Sequence, residues 1–346
     1  MATRTNSAGL NSSQDISQLV TSINTALAVI GTSNKPIFNK IAFVDDGSKT
    51  DGNPVGKVVG LFDNGDGQPG EVIKYAFSPV ANAPKVWHFG KDRDEVAERM
   101  AYVEVARFRH APADTLLSWD SQDVYGVLSG KMGAILDRAG MLYDWLVAEQ
   151  LNTNPDGNDN GAFFRTDHPV DPEDSSKGEQ SNDISIAAMD VDGLGAALDA
   201  FNGIKWYDGK ARSSDTKPVL VCPTKSLELK ARQLIFGSLV PTPVNGTAVA
   251  ASSPFEGMIS DVLLFQGLRT ESPNANSHKY CYLINPGEPL KAGIIVAPKR
   301  YPLFHVSGLD PNEEIRRKKG AVAYGWDEFS GVGLGLYQDV MRVKVG

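Results

Sequence analysis

Three side chains near the middle of the chain have types suited to acid–base or metal-assisted hydrolysis: His110, Asp167 and His168. An aspartate beside a histidine can fix the tautomer of the imidazole, and histidine is a common general base and metal ligand. Adjacency in the sequence does not place the carboxylate against the ring, and Pro169 makes a rigid loop corner the simpler interpretation. The sequence therefore predicts no catalytic residue, with a metal-dependent hydrolase as an alternative.

A second pattern, just before His168, concerns metal binding. The spacing of a calcium loop of the EF-hand kind is matched by Asp156, Asn158, Asn160, Gly161 and Asp167. No helix is expected after this loop, and Phe164 occupies a position that often supplies a ligand, so a turn rich in Asn and Gly is the favoured interpretation. The histidines form no i, i+4 pair and none is close to a cysteine, so no zinc site is predicted either.

The glycine-rich run GDGQPG, residues 65–70, has the spacing of a dinucleotide-binding loop. In such a loop a helix begins after the glycines and its N-terminus binds the pyrophosphate. Here Asp66 and Pro69 suit a turn and a strand-like run follows, so the segment is interpreted as a turn and no cofactor is predicted.

Composition narrows the function classes. A chain of 346 residues with 41% hydrophobic residues can form more than one folded region. Its net charge of -8 argues against a protein that holds nucleic acid over much of its surface. No long apolar run and no signal-peptide pattern occur, so a soluble protein made in the cytosol is expected. Cys222 and Cys281 lie in apolar strand-like runs and are expected to be reduced core thiols, with a disulfide between them as the alternative.

The elements that must position these residues start with a predicted helix over residues 121–150. Apolar side chains recur there at helical spacing, and thirty residues would span about 45 Å. Four interior glycines oppose this, each at a cost of about 1 kcal/mol relative to alanine: Gly126, Gly130, Gly133 and Gly140. Either the helix breaks or another element packs closely against it.

Strand-like runs surround this helix. VGKVVGLF (55–62) and EVIKYAF (71–77) predict a long two-stranded β-ribbon, which would be marginal alone and is expected to lie on another element. YVEVARFRH (102–110) predicts a strand with Val103, Val105 and Phe108 facing inward, which requires a slip in the period of two. GAFFRT (161–166) predicts another strand.

The second half of the chain predicts a compact α/β region that begins near Ile184, with Thr224 capping its second helix. A polar insert at 171–182 is expected to be exposed, and residues 240–254 are expected to form a loop. The sequence thus predicts a mixed α+β fold.

Several segments, in order, resemble the major head subunits of Mu-like tailed bacteriophages. They lie between about residue 121 and the end of the chain: GAFFRTDHPV, KPVLVCPTKSLELKARQLI, KYCYLINP and YGWDEFSGVGLGLYQDV. The resemblance implies the tailed-phage capsid fold. Residues 1–36 would be an N-terminal arm and 37–90 an extended β-hairpin loop. Residues 91–184 and 301–346 would form a peripheral domain with a spine helix over 121–150, and 185–300 an axial domain.

The same resemblance implies a function and partners. Such subunits assemble into the hexamers and pentamers of an icosahedral head that encloses double-stranded DNA, without sequence-specific contact, so the expected location is the virion. Expected partners are further copies of the chain, a separate scaffold protein, a portal, and decoration or head-completion proteins. Candidate contacts between subunits are Trp87, Arg93, Arg316, Arg317, Lys318 and Lys319. A tail-tube or decoration protein is the closest alternative, against which the long helix argues.

Overall fold

A computed structural model describes residue 21 and residues 36–45, 56–63, 69–77, 101–110, 115–118, 141–211, 217–237, 240–244, 247–251, 253–270, 277–287, 291–307 and 312–346. Helices and strands are mixed along the chain, which confirms the predicted α+β class. Within these ranges no helix combines the length and the apolar character that crossing a membrane requires.

Seven strands of the described ranges form the large sheet, in the order β1-β14-β15-β4-β3-β2 with β5 also paired to β15. Their bounds are Phe43–Val44 (β1), Lys57–Asp63 (β2), Pro69–Phe77 (β3), Ala101–His110 (β4), Thr115–Ser118 (β5), Ile294–Ser307 (β14) and Ala321–Leu334 (β15). β1 and β14 are parallel, and the other pairs of this sheet are antiparallel. The longest ladder joins β14 to β15. These strands are distant in sequence from β2 and β3 but belong to the same sheet, because β4 lies between β15 and β3.

The predicted ribbon is confirmed as the antiparallel pair β2–β3, and it lies on β4, to which β3 pairs over its last seven residues. One detail was wrong. The alternation of β4 runs without a slip, so Val103, Val105 and Arg107 point into the core, whereas Phe108 lies on the opposite face and is only half-buried. Arg107 can be buried because it forms a salt bridge with Glu71. A pattern of apolar residues in the sequence does not reveal such a pair.

In the part of the chain that the structure describes, five strands form the small sheet, in the order β12-β9-β13-β16-β8. Their bounds are Asp183–Ile186 (β8), Val219–Cys222 (β9), Asp261–Leu264 (β12), Tyr280–Ile284 (β13) and Val340–Val345 (β16). Helix α3 (Val191–Gly203) and helix α4 (Lys225–Phe236) pack on it, so the predicted α/β region is confirmed. Thr224 caps α4 as predicted, since its Oγ1 accepts from the Leu227 N–H at 3.3 Å.

A third region of the core lies where the two sheets meet. A short helix, α1 (Phe38–Ile41), packs there on a helix over residues 141–153, called α2, with the rings of Phe38 and Tyr143 4.9 Å apart. The described part of the predicted long helix is therefore helical and ends three residues later than expected. Residues 121–140, with all four glycines, lie outside the described residues.

Two predictions for the segments after α2 are wrong, and a third is confirmed for most of its residues. Residues 161–166 form no strand, and Phe163 and Phe164 are buried from a loop instead. Residues 240–244 (β10, Val240–Val244) and 247–251 (β11, Thr247–Ala251) pair as antiparallel strands, where a loop was expected. The insert at 171–182 is largely exposed as expected, yet Asp171 and Asn182 are buried at its two ends.

The remaining described elements are short. Strands β6 (His168–Pro169) and β7 (Glu179–Gln180) pair with each other, and helices α5 (Gly267–Thr270) and α6 (Glu314–Lys319) flank the later strands. β16 pairs with β13 and β8, so residues 340–345 belong to the same sheet as much of the predicted axial domain. The domain boundaries remain a prediction, as does the arm, of which only residues 21 and 36 are described.

Candidate functional site

The outer edge of the large sheet carries exposed apolar side chains. β2 pairs with β3 on one side, and within the described part of the chain no strand pairs with its other side. Val58, Val59 and Leu61 are 48%, 50% and 78% exposed. An unpaired strand edge with large apolar side chains is the kind of surface that soluble monomers usually protect.

The tip half of this hairpin is held by two aromatic rings on one face. Phe62 and Phe108 meet edge to face with centroids 5.2 Å apart, across β3 at Gly70. A Cβ atom at Gly70 would lie 2.4 Å from the Phe62 ring, so only glycine leaves room for this contact. The hairpin is thus fixed to β4 close to its exposed edge.

On the opposite face a buried cluster of charges joins the hairpin to the rest of the sheet. Glu71 contacts Arg107, with Oε2 3.9 Å from Nη1, and also pairs with Lys299 on β14. The Arg107 Nε donates to the Ala297 carbonyl oxygen at 2.7 Å. Because removing one partner would leave a buried charge unpaired, this cluster holds the hairpin in one position.

A carboxylate at the end of β1 fixes the first residues of the hairpin. Asp45 Oδ2 accepts hydrogen bonds from the Tyr75 hydroxyl at 2.9 Å and from the Gly56 N–H at 3.1 Å. Burial, reinforced by the Asp45 charge, raises the pKa of Tyr75 far above its ordinary value, so the phenol stays a donor. The exposed β2 edge is therefore carried on a rigid support.

Helix α2 has a second exposed apolar surface. Met141 and Trp145, one turn apart, are partly exposed, while Tyr143 and Val147 face the core. Between the two faces, Asp144 accepts hydrogen bonds from the backbone N–H groups of Ile37 and Phe38, which secures α1 to this helix. Burial raises the pKa of Asp144 to about 6, although these hydrogen bonds lower it.

A buried polar cluster lies in the loop that follows α2. Asp159 Oδ2 accepts from Arg165 Nη2 at 2.6 Å and is 2.7 Å from His168 Nδ1. Burial alone would raise the pKa of Asp159, but the hydrogen bonds from His168 and Arg165 hold it below its ordinary value. The carboxylate is therefore charged and joins two basic groups inside the loop.

The far side of the His168 ring is also occupied. Nε2 lies 3.0 Å from both the Phe163 carbonyl oxygen and Asn182 Oδ1, and the ring stacks on Tyr337. Asn182 further donates to Phe163 O at 2.8 Å and accepts from the Arg165 N–H at 3.1 Å. With every face packed, His168 fixes the loop against the C-terminal segment and is closed to a substrate.

The contacts of His168 show which carboxylate is its partner. Asp167 is exposed and approaches Arg165 at 3.7 Å, so the partner of His168 is Asp159 and not its neighbour in sequence. His110 lies opposite Glu328 across β4 and β15, and the described contacts do not join it to His168. Within the part of the chain that the structure describes, no group of three or more His, Cys, Asp or Glu side chains could hold a metal ion.

The calcium-like spacing corresponds to a turn. Gly157 N–H donates to the Gly161 carbonyl at 2.7 Å and Asn160 adopts a φ of 59°, while Asp156 points outward and is exposed. The inward carboxylate is Asp159, which the calcium pattern skips. Sequence reasoning missed it, although a charged residue followed by Arg165 and His168 was a visible signal.

Of the predicted subunit contacts, Trp87 and Arg93 lie outside the described residues. Arg316 lies in α6, and Arg317, Lys318 and Lys319 are exposed there. Lys318 pairs with Glu314 one turn earlier. The surface of α6 is therefore basic, and no described contact joins it to the β2 edge.

Comparison with known proteins finds no matching family model and no matching curated protein. Among solved structures, the chain is similar to the capsid of cyanophage P-SCSP1u, with 10% identity over 90% of this chain and 88% of that chain and a TM-score of 0.48. The procapsid of bacteriophage JBD30 aligns with 14% identity over 97% of this chain and 76% of that chain, at a TM-score of 0.46. The capsid of the native GTA particle aligns with 11% identity over 80% and 85%, at 0.44.

These solved structures are capsids, and the likeness to them is partial. The identities and TM-scores do not identify a family, and they do not single out the Mu-like head subunits that the sequence resembles.

Proposed function

We propose that the chain is the major capsid protein of a tailed bacteriophage of the Mu-like kind. Copies of it form the hexamers and pentamers of an icosahedral head that encloses double-stranded DNA, and its role is structural rather than enzymatic. Assembly takes place in the bacterial cytoplasm, with a separate scaffold protein, a portal and decoration or head-completion proteins as partners. The protein then resides in the virion.

The observation that carries this proposal is the exposed edge of β2 on a rigid support. Leu61 is 78% exposed although it lies on the same face as the buried Glu71, its register partner. Exposing such an edge is unfavourable for a monomer, and a neighbouring subunit that covers it would remove the apolar surface from water. Because the charged cluster and the Phe62–Phe108 contact fix the edge, little ordering is required on association.

Charge is consistent with a container. A net charge of -8 does not favour a continuous phosphate-binding surface, and a shell needs only to enclose DNA.

Electron microscopy of the expressed chain, alone and with its scaffold, tests the proposal. Closed shells or isolated hexamers and pentamers are expected. Tubes would indicate a tail protein instead. Monomers under both conditions, at concentrations where phage shells form, would overturn the proposal.

Two substitutions at one position test the β2 edge directly. Leu61→Lys places a charge on the proposed contact and is expected to abolish shells while leaving the thermal unfolding of the subunit unchanged, because the side chain is exposed and its register partner Glu71 is acidic. Leu61→Met keeps the apolar surface and is the matched control, expected to assemble normally. Normal assembly of the Lys variant would remove β2 from the interface.

The predicted contacts on α6 belong to the same proposal. Arg317→Glu together with Lys319→Glu reverses part of the exposed basic surface without touching the Lys318–Glu314 pair. Weaker assembly, with a smaller dependence on salt concentration, is expected if an acidic neighbour binds there. Unchanged assembly would leave α6 as an ordinary solvated helix.

A further inference from the structure

Two cysteines lie opposite each other in the middle of the small sheet. β9 and β13 are antiparallel with Val221 opposite Tyr282, so the next pair along the ladder is Cys222 and Cys281. Their Sγ atoms are 3.9 Å apart. Directly opposed residues in antiparallel strands have Cα atoms about 4.5–5.5 Å apart, which lies within the range of about 4.4–6.8 Å that a disulfide spans.

The two thiols lie in an apolar and buried environment. Both thiols are free and fully buried, and the apolar cluster around them includes Ala231 of α4 and Val343 of β16. The contact with Cys281 and burial in the core both raise the pKa of the Cys222 thiol. Since the thiolate is the reactive form, the raised pKa slows the reaction of Cys222 with an oxidant. Burial adds a second barrier, because the thiols must become exposed before an oxidant can reach them.

We propose that Cys222 and Cys281 are a redox modification site, at which a small organic disulfide converts the two thiols into a reversible cross-strand disulfide. In the first step one cysteine loses its proton and attacks the small disulfide, which gives a mixed disulfide and one small thiolate. In the second step the other cysteine loses its proton and attacks the sulfur of the first, which forms the Cys222–Cys281 bond and releases the second small thiolate. Two protein thiols are oxidised, and one small disulfide is reduced to two small thiols.

The position of the bond gives it a structural effect. It would join β9 to β13 at the centre of the sheet and close residues 223–280 into a loop that contains α4, the β10–β11 hairpin and β12. Closing such a loop restricts the unfolded chain more than the folded one. The two thiols would stay reduced while the protein is in a reducing cytosol. After transfer to an oxidising medium, the disulfide would form and stabilise the small sheet.

Mass spectrometry of the full chain after incubation with oxidised glutathione tests the proposal. The expected product is a monomer that has lost two hydrogens, in which a peptide containing Cys222 is linked to one containing Cys281. The disulfide should form faster in mild urea. The oxidised monomer should melt roughly 5 °C higher than the reduced protein, and dithiothreitol should reverse both the loss of two hydrogens and the rise in melting temperature. Two alkylatable thiols after incubation in mild urea, stable glutathione adducts, or disulfide-linked dimers would each overturn it.

Cys222→Ala and Cys281→Ala are the matched controls, because each keeps one thiol in the same core. Neither is expected to lose two hydrogens or to gain thermal stability in the oxidant. Because the wild-type chain carries the decisive measurement, a folding defect in either variant does not affect the outcome. The result is also independent of shell formation, since the thiols lie within one subunit.

Discussion

The imidazole of His168 lies flat on the ring of Tyr337, with the ring centroids 3.8 Å apart and the planes inclined by 6°. The Tyr337 hydroxyl donates to the Pro169 carbonyl oxygen at 2.9 Å and accepts from Gln180 Nε2 at 2.8 Å. One side chain close to the last strand thus holds both β6 and β7. The loop after α2 is fixed by a contact that spans much of the chain.

Tyr337→Phe keeps the stack and removes the hydroxyl. We expect a loss of about 1–2 kcal/mol in the free energy of unfolding, because two partly buried partners lose a hydrogen bond. Urea denaturation measures it. Tyr102→Phe, at an exposed ring on β4, is the control and should change the free energy of unfolding by less than about 0.5 kcal/mol. Equal, small effects for the two variants would contradict a structural role for the hydroxyl.

Asp159→Asn tests the buried charge. A carboxyl whose pKa is lowered by folding stabilises the protein above its unfolded pKa of about 3.9, and that stability is lost as the pH falls through the folded value. The variant is therefore expected to be less stable by about 3 kcal/mol at pH 7, with a smaller difference at pH 3. Asp167→Asn, on the exposed neighbour, should show little difference at either pH. A gap for Asp159→Asn that is the same at both values would show that charge is not the cause.

Glu328→Gln tests a carboxyl with the opposite behaviour. Burial raises the pKa of Glu328 to about 8, although the hydrogen bonds from Ser330 and Tyr143 lower it. The folded state then keeps a proton that the unfolded state has already lost, so this residue reduces stability as the pH rises from about 4.5 to about 8.

Glutamine stays neutral throughout that range. The Gln variant should match the wild type near pH 5 and be more stable by about 2 kcal/mol or more near pH 8. Urea midpoints at both pH values provide the measurement, with Glu104→Gln, at an exposed position on β4, as the control. A constant difference between Glu328→Gln and the wild type would rule out this ionisation.

Gly70→Ala and Gly60→Ala form a matched pair within one hairpin. The new methyl at position 70 would meet the Phe62 ring, whereas at position 60 the nearest atom is Val72 Cβ at 4.0 Å. We expect a loss of about 2 kcal/mol for Gly70→Ala and a change within about 0.5 kcal/mol for Gly60→Ala. Hydrogen exchange of the β2 amides should accelerate only in the first variant. Equal exchange in both would mean that Phe62 does not hold the hairpin.

The parts of the fold that could be predicted are those with local signals. The β2–β3 ribbon follows from alternation around a turn, and α4 follows from helical spacing after the cap at Thr224. The hairpin β10–β11 was missed because Pro241 and Pro243 argue against a strand. The prolines alternate with Val240, Thr242 and Val244, whose pairing with β11 continues the ladder. The strand pair therefore tolerates the two N–H donors that the prolines lack.

The candidate site was less predictable because its contacts are distant in sequence. Glu71 binds Lys299 on β14, and His168 stacks on Tyr337, pairs that no local pattern can indicate. Exposure of Val59 and Leu61 could not be inferred either, since the alternation of β2 does not show which face another element covers. The inward position of Arg107 could not be predicted for the same reason, because its salt-bridge partner Glu71 lies on another strand.

The place of β16 in the small sheet affects how the chain folds during synthesis. β16 lies between β13 and β8, and among the described strands β8 has no other neighbour in that sheet. A ribosome therefore has to make residues 187–339 while β8 waits for its partner. Until residues 340–345 have left the exit tunnel, one edge of β13 and the whole of β8 remain without their ladder, so the nascent subunit is exposed to chaperones and to premature pairing with other chains.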